Sequence, residues 1–319
     1  MANPNANFTD VIATTLQGYS GRLADNITKH NALLRCISDK GNVTPATGRD
    51  IVQELEYAEN ATVKWYAGYE TLDTDPSDTF TAAEFQYKQM AGNVVISGLE
   101  QVQNSGKEAV HNLVKSRIKN LDKSLRNALA GALYANGTGN DGKEIGGLQL
   151  LVADTGLGIV GGIDASANAF WQNQVVSTAA APAATNIQTS MNSLWMKCIR
   201  GADKPDIVVA DANYFRAYME SLQVNQRFTS ENKASAGFMN LMFMDAPVFY
   251  DDQCPENHLY MLNTDYIFLR PAKGREFVPL SEKASVSQDA IIIPVVWAGN
   301  MTVSNRALQG VLFTTPAAG

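Results

Sequence analysis

Two extended runs constrain this chain more than any other feature. The first, at about residues 51–73, carries ATVKWYAGYETLD, and the second starts near Phe80 as TFTAAEFQYKQMAGNVVIS. Between them DTDPSDT, rich in Pro and Asp, reads as a turn. Ala83, Phe85 and Tyr87 alternate with Glu84, Gln86 and Lys88, and Trp65, Ala67 and Tyr69 alternate likewise. Period two marks a strand with one buried face. The runs therefore predict a hairpin with long arms, and a lone two-stranded hairpin is marginal in water. No third strand lies nearby in sequence. The aromatic face of Trp65, Tyr69, Phe85 and Tyr87 must lie on a neighbouring subunit or, in the plainer alternative, on the chain's own body.

The segments around the hairpin alternate between helix and strand. Residues 1–20 are small and polar and read as an arm that orders against a partner. Leu23, Ile27, His30, Leu34 and Ile37 recur at helical spacing. His30 on that stripe reads as a packed interface histidine, because no second ligand is near. SDKGNVTPATG at 38–48 is a loop. Val110, Val114, Ile118, Leu121, Leu125, Leu129 and Ala132 predict one long helix over about 105–135, stopped by Asn136 and Gly137. IGGLQLLV and GLGIVGGID then read as strands with close turns, and AAAPAATN at 179–186 as a linker. Ile187, Met191, Leu194, Trp195 and Cys198 form another helical stripe, with Cys198 as a small buried hydrophobe. DIVVAD is a short buried strand, and Asp211 caps a helix presenting Phe215, Met219 and Leu222. FMNLMFMDAPVFYDD, HLYMLNTDYIFLR and AIIIPVVWAGNMTVSN supply further strands. This order places the chain in the α+β class.

Bulk properties exclude several function classes. The 319 residues allow two or three compact units. A net charge of −7 argues against a dedicated nucleic-acid reader. The three cysteines, Cys36, Cys198 and Cys254, are too few and too scattered for a disulfide framework, which points to a reducing cytoplasm. MANPNANFTDV lacks the basic and apolar regions of a secretory signal. AIIIPVVWAG at 290–299 is about half a membrane span and is broken by Pro294, so no membrane association is expected.

The glycine-rich GTGNDGKE at 137–144 fits both G-x-G-x-x-G and the start of G-x-x-x-x-G-K-[ST]. Both motifs require a strand before the loop and a helix after it, so that a helix N-terminus meets the phosphates. Here the long helix precedes the loop and presents its partially negative end. Glu144 also stands where a Ser or Thr would bind magnesium. Neither ATP nor a dinucleotide is expected, and the loop reads as a helix stop. Cys254 and His258 form a lone C-x-x-x-H, which cannot complete a zinc site. No G-x-S-x-G occurs, and no catalytic residue, cofactor or metal is assigned.

The order of these elements resembles the major capsid proteins of tailed bacteriophages, the Hong Kong ninety-seven fold, over essentially the whole chain. The resemblance rests on NVVISGLEQVQNSGKEAV, ALYANGTGNDGKEIGGLQLLV, IVGGIDASANAFWQN, MNSLWMKCIRGADKPDIVVADANYFRAYMESL, APVFYDDQCPENHLYMLNTDYIFL and IIIPVVWAGNMTVSNRALQGVLF, in that order.

The resemblance implies an N-terminal arm at 1–48 and an extended loop at 49–97. It implies a peripheral domain at 98–182 and 281–319, with a spine helix at 105–135, and an axial domain at 183–280. It implies a non-enzymatic shell protein that self-assembles into hexamers and pentamers around double-stranded DNA. Such a protein is assembled in the host bacterial cytoplasm and ends in the virion capsid. Its partners would be itself, a separate scaffolding protein, a portal protein at one vertex, packaged DNA and a decoration protein. The expected spine helix begins too early for a long fused scaffold. Lys64 and Lys88 sit well back from the hairpin tip, so covalent cross-linking is not expected. An encapsulin-type shell around protein cargo is the alternative, and a nucleotide-binding enzyme a remote one. Lys115, Lys119, Lys123 and Arg126 fall within one sector of the long helix. They form either a wetted surface or an interior basic stripe facing DNA or scaffold.

Overall fold

The computed structural model describes residues 32–103, 113–223, 241–281, 283–284 and 288–314, without the side chains of 101–103, 113–115 and 223. Helix α1 (Ala32–Asp39) buries Leu33 and Ile37 one turn apart, with Leu34 only partly covered. The buried line thus runs one residue before the Leu34 of the expected stripe. Leu23, Ile27 and His30 lie outside the described residues.

The expected long hairpin is corrected in two ways. Strand β1 (Ile51–Glu56) pairs antiparallel with β2 (Phe80–Phe85), from Ile51 opposite Phe85 to Glu56 opposite Phe80. The outer segment, 57–79, contains no strand. The second run also breaks at Gln86–Tyr87, after which β3 (Lys88–Ser97) leaves the hairpin. It pairs instead with β14 (Ala290–Val303) along ten residues. Sequence proximity could not show that partner.

Strand β14 is the spine of a sheet. One edge holds β3; the other holds β11 (Ile267–Pro271), β12 (Val278–Pro279) and β13 (Lys283–Ala284) in succession, all antiparallel. After β3 come α2 (Gly98–Gln103) and α3 (Leu113–Ala132), the latter covering part of the expected 105–135 helix. Residues 104–112 lie outside the described residues. Leu125 and Leu129 of α3 are buried. Ile118 and Leu121 pack on Val94, Ile96 and Ile293 of the sheet. The helical stripe thus meets the alternating face of β3, each period matching its own element.

The chain then folds back on the end of α3. IGGLQLLV, expected as a strand, forms a helical turn, α4 (Leu148–Leu151). Leu148, Leu151 and Val152 are buried at spacings of three and four, a helical signature in an apolar run too short for its period to stand out. The Gly147 amide donates to Ala135 O (3.0 Å) and the Leu148 amide to Leu133 O (2.7 Å), satisfying carbonyls that a helix end leaves open. A Cβ on Gly147 would collide with the Leu133 and Ala132 carbonyl oxygens, so only glycine lets the chain pass this close. GLGIVGGID does form a small hairpin, β4 (Ile159–Val160) and β5 (Ile163–Asp164).

A second sheet has six strands in the order β6 (Gln174–Thr178), β15 (Gly310–Thr314), β10 (His258–Leu262), β7 (Ile207–Ala210), β9 (Ala246–Tyr250), β8 (Leu241–Phe243). The β6–β15 and β7–β9 pairs are parallel. Ile207, Val209, Tyr260, Leu262 and Val311 face the main core. Val208, Ala210, Leu259, Met261 and Leu312 face a second core under α5 (Ile187–Cys198) and α6 (Ala212–Gln223). Burial on both faces explains why DIVVAD is uniformly apolar. The α5 stripe is buried as expected from Ile187 to Cys198. On α6 the buried face is Tyr214, Ala217, Tyr218 and Ser221, with Phe215, Met219 and Leu222 at its margin. Asp211 caps this helix, accepting from the Tyr214 amide (2.9 Å).

Sheet membership does not follow the expected 183–280 range. Strands β6 and β15 lie outside that range yet join the six-stranded sheet, whereas β11 and β12 lie inside it yet join the β14 sheet. The chain crosses between the sheets at Asn263–Tyr266 and again after β14.

Candidate functional site

The hairpin has a base and an outer part of opposite character. At the base, Ile51, Leu55, Ala83 and Phe85 are buried in the main core. Tyr87 packs partly against the same core. Phe85 and Tyr87 therefore lie on their own chain, and the expectation that they face a neighbour is corrected. The β4–β5 hairpin forms their seat. The Glu84 amide donates to Gly161 O (3.0 Å), and a Cβ at Gly161, whose φ is +59°, would stand 2.6 Å from the Ala83 Cβ. The Tyr57 ring packs at a tilt of 41° against Phe170 (5.7 Å between centroids), and Arg270 donates to Gln53 (3.1 Å).

Beyond Glu56 the ladder continues for one bond, from the Tyr57 amide to Thr79 O. A few local bonds hold the outer part, such as Ala61 N to Ser77 Oγ and Lys64 Nζ to Thr71 O. Trp65 and Tyr69 are fully exposed, at 101% and 107% relative accessibility. Two bare aromatic side chains on one loop form the kind of surface that marks an interaction site.

The basic stripe is narrower than its sequence suggests. Lys119 is exposed and Lys123 half-buried on α3. Arg126 is engaged within its own chain: its Nε lies 3.0 Å from Asp122 Oδ2 and its guanidinium sits 5.2 Å above the Phe277 ring. Asp122 falls in the same helical sector and offsets one positive charge. The Lys115 side chain lies outside the described residues.

GTGNDGKE closes on itself. Gly142 N donates to Thr138 O and Lys143 N to Asn140 O, while Asn140 and Asp141 both adopt left-handed backbone angles. Asn140 Nδ2 donates to Glu144 Oε1 (2.5 Å), and Lys88 Nζ donates to Gly142 O (2.6 Å). Lys88 thus holds a loop carbonyl, the exposed Lys143 of the loop lies 3.9 Å from Asp141 Oδ2, and Glu144 places a carboxylate beside the glycines.

Burial pushes the Cys36 and Cys198 thiols up to about 11 and about 12, and Cys254 well above the usual range. None is poised as a thiolate nucleophile. Cys254 Sγ donates to the His258 carbonyl (3.6 Å), while the His258 ring meets Asp154, a residue 104 positions away. No local sequence pattern could reveal that pairing. Among the described residues no cluster of three His, Cys, Asp or Glu could hold a metal, and no helix is long and apolar enough to cross a membrane.

No protein-family model and no curated protein matches this sequence. The fold, by contrast, matches solved structures along nearly its whole length. The capsid asymmetric unit of cyanophage A-1(L) aligns with a TM-score of 0.69 at 18% identity, covering 96% of this chain and 99% of that one. The holo-SrpI encapsulin complex from Synechococcus elongatus PCC 7942 aligns at 0.61 and 11% identity, covering 98% and 96%. The capsid of Myoviridae phage XM1 aligns at 0.56 and 12% identity, covering 94% and 97%. The chain has the Hong Kong ninety-seven-type capsid fold.

Proposed function

We propose that this chain is the major capsid protein of a tailed bacteriophage, forming hexamers and pentamers of an icosahedral shell around double-stranded DNA. The observation that carries the reading is the likeness of fold, over 96% of the chain, to a chain of a cyanophage capsid asymmetric unit. The hairpin gives it a physical basis: its outer part exposes Trp65 and Tyr69, and nothing among the described residues covers them. In a shell, that loop lies on an adjacent subunit. A separate scaffolding protein, a portal, packaged DNA and a decoration protein are the partners of such a shell. Assembly takes place in the host cytoplasm. Residues 51–85 serve as the extended loop, while 88–97 of the expected 49–97 range join the β14 sheet. The α5–α6 face of the six-stranded sheet is the axial domain, and the β14 sheet with α3 the peripheral domain.

The encapsulin likeness supports a second reading, a shell enclosing protein cargo. Electron microscopy of the purified protein, expressed alone and with a scaffolding protein, tests both. Closed shells are expected, and soluble monomers under all conditions would overturn the proposal. Nucleic acid inside shells recovered from their natural source supports the phage reading; enclosed enzyme supports the encapsulin reading.

A further inference from the structure

The His258 ring lies where each of its nitrogens meets an acceptor. Nε2 is 3.1 Å from Asp154 Oδ2, and Nδ1 is 2.7 Å from the Glu256 carbonyl oxygen. A neutral imidazole carries one N–H and can satisfy only one of them; the imidazolium satisfies both. The ring is stacked between Phe313 of β15 (5.7 Å, 15°) and Tyr260 of its own strand (6.1 Å, 19°), which fixes its plane. The other Asp154 oxygen is buried and has no hydrogen-bond partner. Losing the proton either breaks the Asp154 bond or leaves the Nδ1 lone pair against the Glu256 carbonyl oxygen, and in both cases removes the charge that strengthens the Asp154 bond.

Asp154 belongs to the segment that leads from α4 into the β4–β5 hairpin, the seat of β2. The segment's other fastenings do not titrate near neutral pH: Arg306 Nε donates to Leu151 O (2.8 Å) and Asn173 Nδ2 to Ala153 O (2.9 Å). We propose that His258 is a proton-operated clasp on segment 152–165, holding the seat of the hairpin when charged and loosening it when neutral.

The surrounding groups agree. Burial opposes the charge on His258, but the bonds to Asp154 and Glu256 O, with the fields of Asp154 and Asp211, outweigh it and raise its pKa above the ordinary 6.5. Asp211, at the end of β7, is itself held by the Tyr214 and Asn257 amides. The Cys254 thiol and the Tyr260 hydroxyl are held neutral by burial and contribute no charge. A raised folded-state value means that the clasp acts in full below about 6.5 and fades as pH rises through the folded-state value.

The chain has three histidines, so ring titration by NMR resolves His258 once His258→Gln identifies its signal. In the full-length protein His258 should titrate above 6.5, and Asp154→Asn should lower that value. Hydrogen exchange, corrected for its intrinsic pH dependence, should show protection of 152–165 falling roughly tenfold as pH rises from about 6 to 8.5, the weight of one charge-assisted bond. Asp154→Asn and His258→Gln should flatten that dependence. A His258 titration at or below 6.5 would overturn the proposal, as would a pH dependence of protection that survives in Asp154→Asn. If His258→Gln fails to fold, His30→Gln and His111→Gln assign the remaining signal by elimination, and the wild-type titration decides the first point.

Discussion

The base and the outer part of the hairpin carry the same alternation of large and small side chains, yet one is core and the other bare. At the base, Phe85 and Ala83 meet the β4–β5 seat and the main core. Beyond Glu56, Trp65 and Tyr69 meet only solvent. The difference shows what a period of two can report. It identifies a face, but not the surface that covers it. Phe85 meets Gly161, and the core cluster it joins draws on Tyr260, Leu269 and Trp297, all far along the chain. For Trp65 and Tyr69 the described residues supply no covering surface.

The comparison can be broken most severely at the base. Phe85→Ala should cost about 3–5 kcal/mol by denaturant unfolding, as for other buried aromatics truncated in a packed core. A loss under about 1 kcal/mol would mean that Phe85 is not a core residue. A cut in the outer part must spare β2: removing about 70–84 would destroy the strand as well as the loop. Replacing 60–76 with a short Gly/Ser linker should leave chain stability within about 1 kcal/mol, since long surface loops are cheap to alter. Shell yield should nevertheless collapse. Normal particles would show that the outer part makes no contact between subunits.

A finer version is Trp65→Ala with Tyr69→Ala. Stability should stay within about 0.5 kcal/mol, as expected for exposed positions, while assembly observed by light scattering slows and its critical concentration rises. Unchanged assembly would assign the contact to other residues. The smallest effect is expected far from the hairpin, on α3. Lys115, Lys119 and Lys123 changed together to glutamine should keep the helix. Arg126 is left out because Asp122 and Phe277 already hold it. DNA retention or scaffold binding should weaken mainly at raised salt. No change at any salt would reduce the stripe to a wetted surface.

Legibility in the sequence tracked how local each cause was. The α5 stripe from Ile187 to Cys198 was fully readable, because one helix face meets one sheet face. The Asp211 cap was readable for the same reason. IGGLQLLV was misread because its fold depends on the carbonyls at the end of α3, which draw the chain into a turn. The 183–280 boundary missed the interleaving of the two sheets, since β6 and β15 pair across more than a hundred residues. The element order around the nucleotide-like motifs is legible in the sequence, whereas the contacts of Lys88 with Gly142 O and of Asn140 with Glu144 inside the turn are not.

The partnership of β3 with β14 has a consequence for synthesis. Residues 88–97 leave the ribosome roughly two hundred residues before 290–299, a delay of about 10–40 s at bacterial elongation rates. Throughout that interval β3 is a strand without a ladder, and the core under Phe85 lacks Trp297 and Met301. The nascent chain is therefore a sticky half-product whose free edge can pair wrongly with a copy from a neighbouring ribosome. Chaperone capacity, rather than subunit stability, would then limit yield when the protein is made in bulk. A circular permutant that places 288–314 ahead of 49–97 should depend on chaperones less.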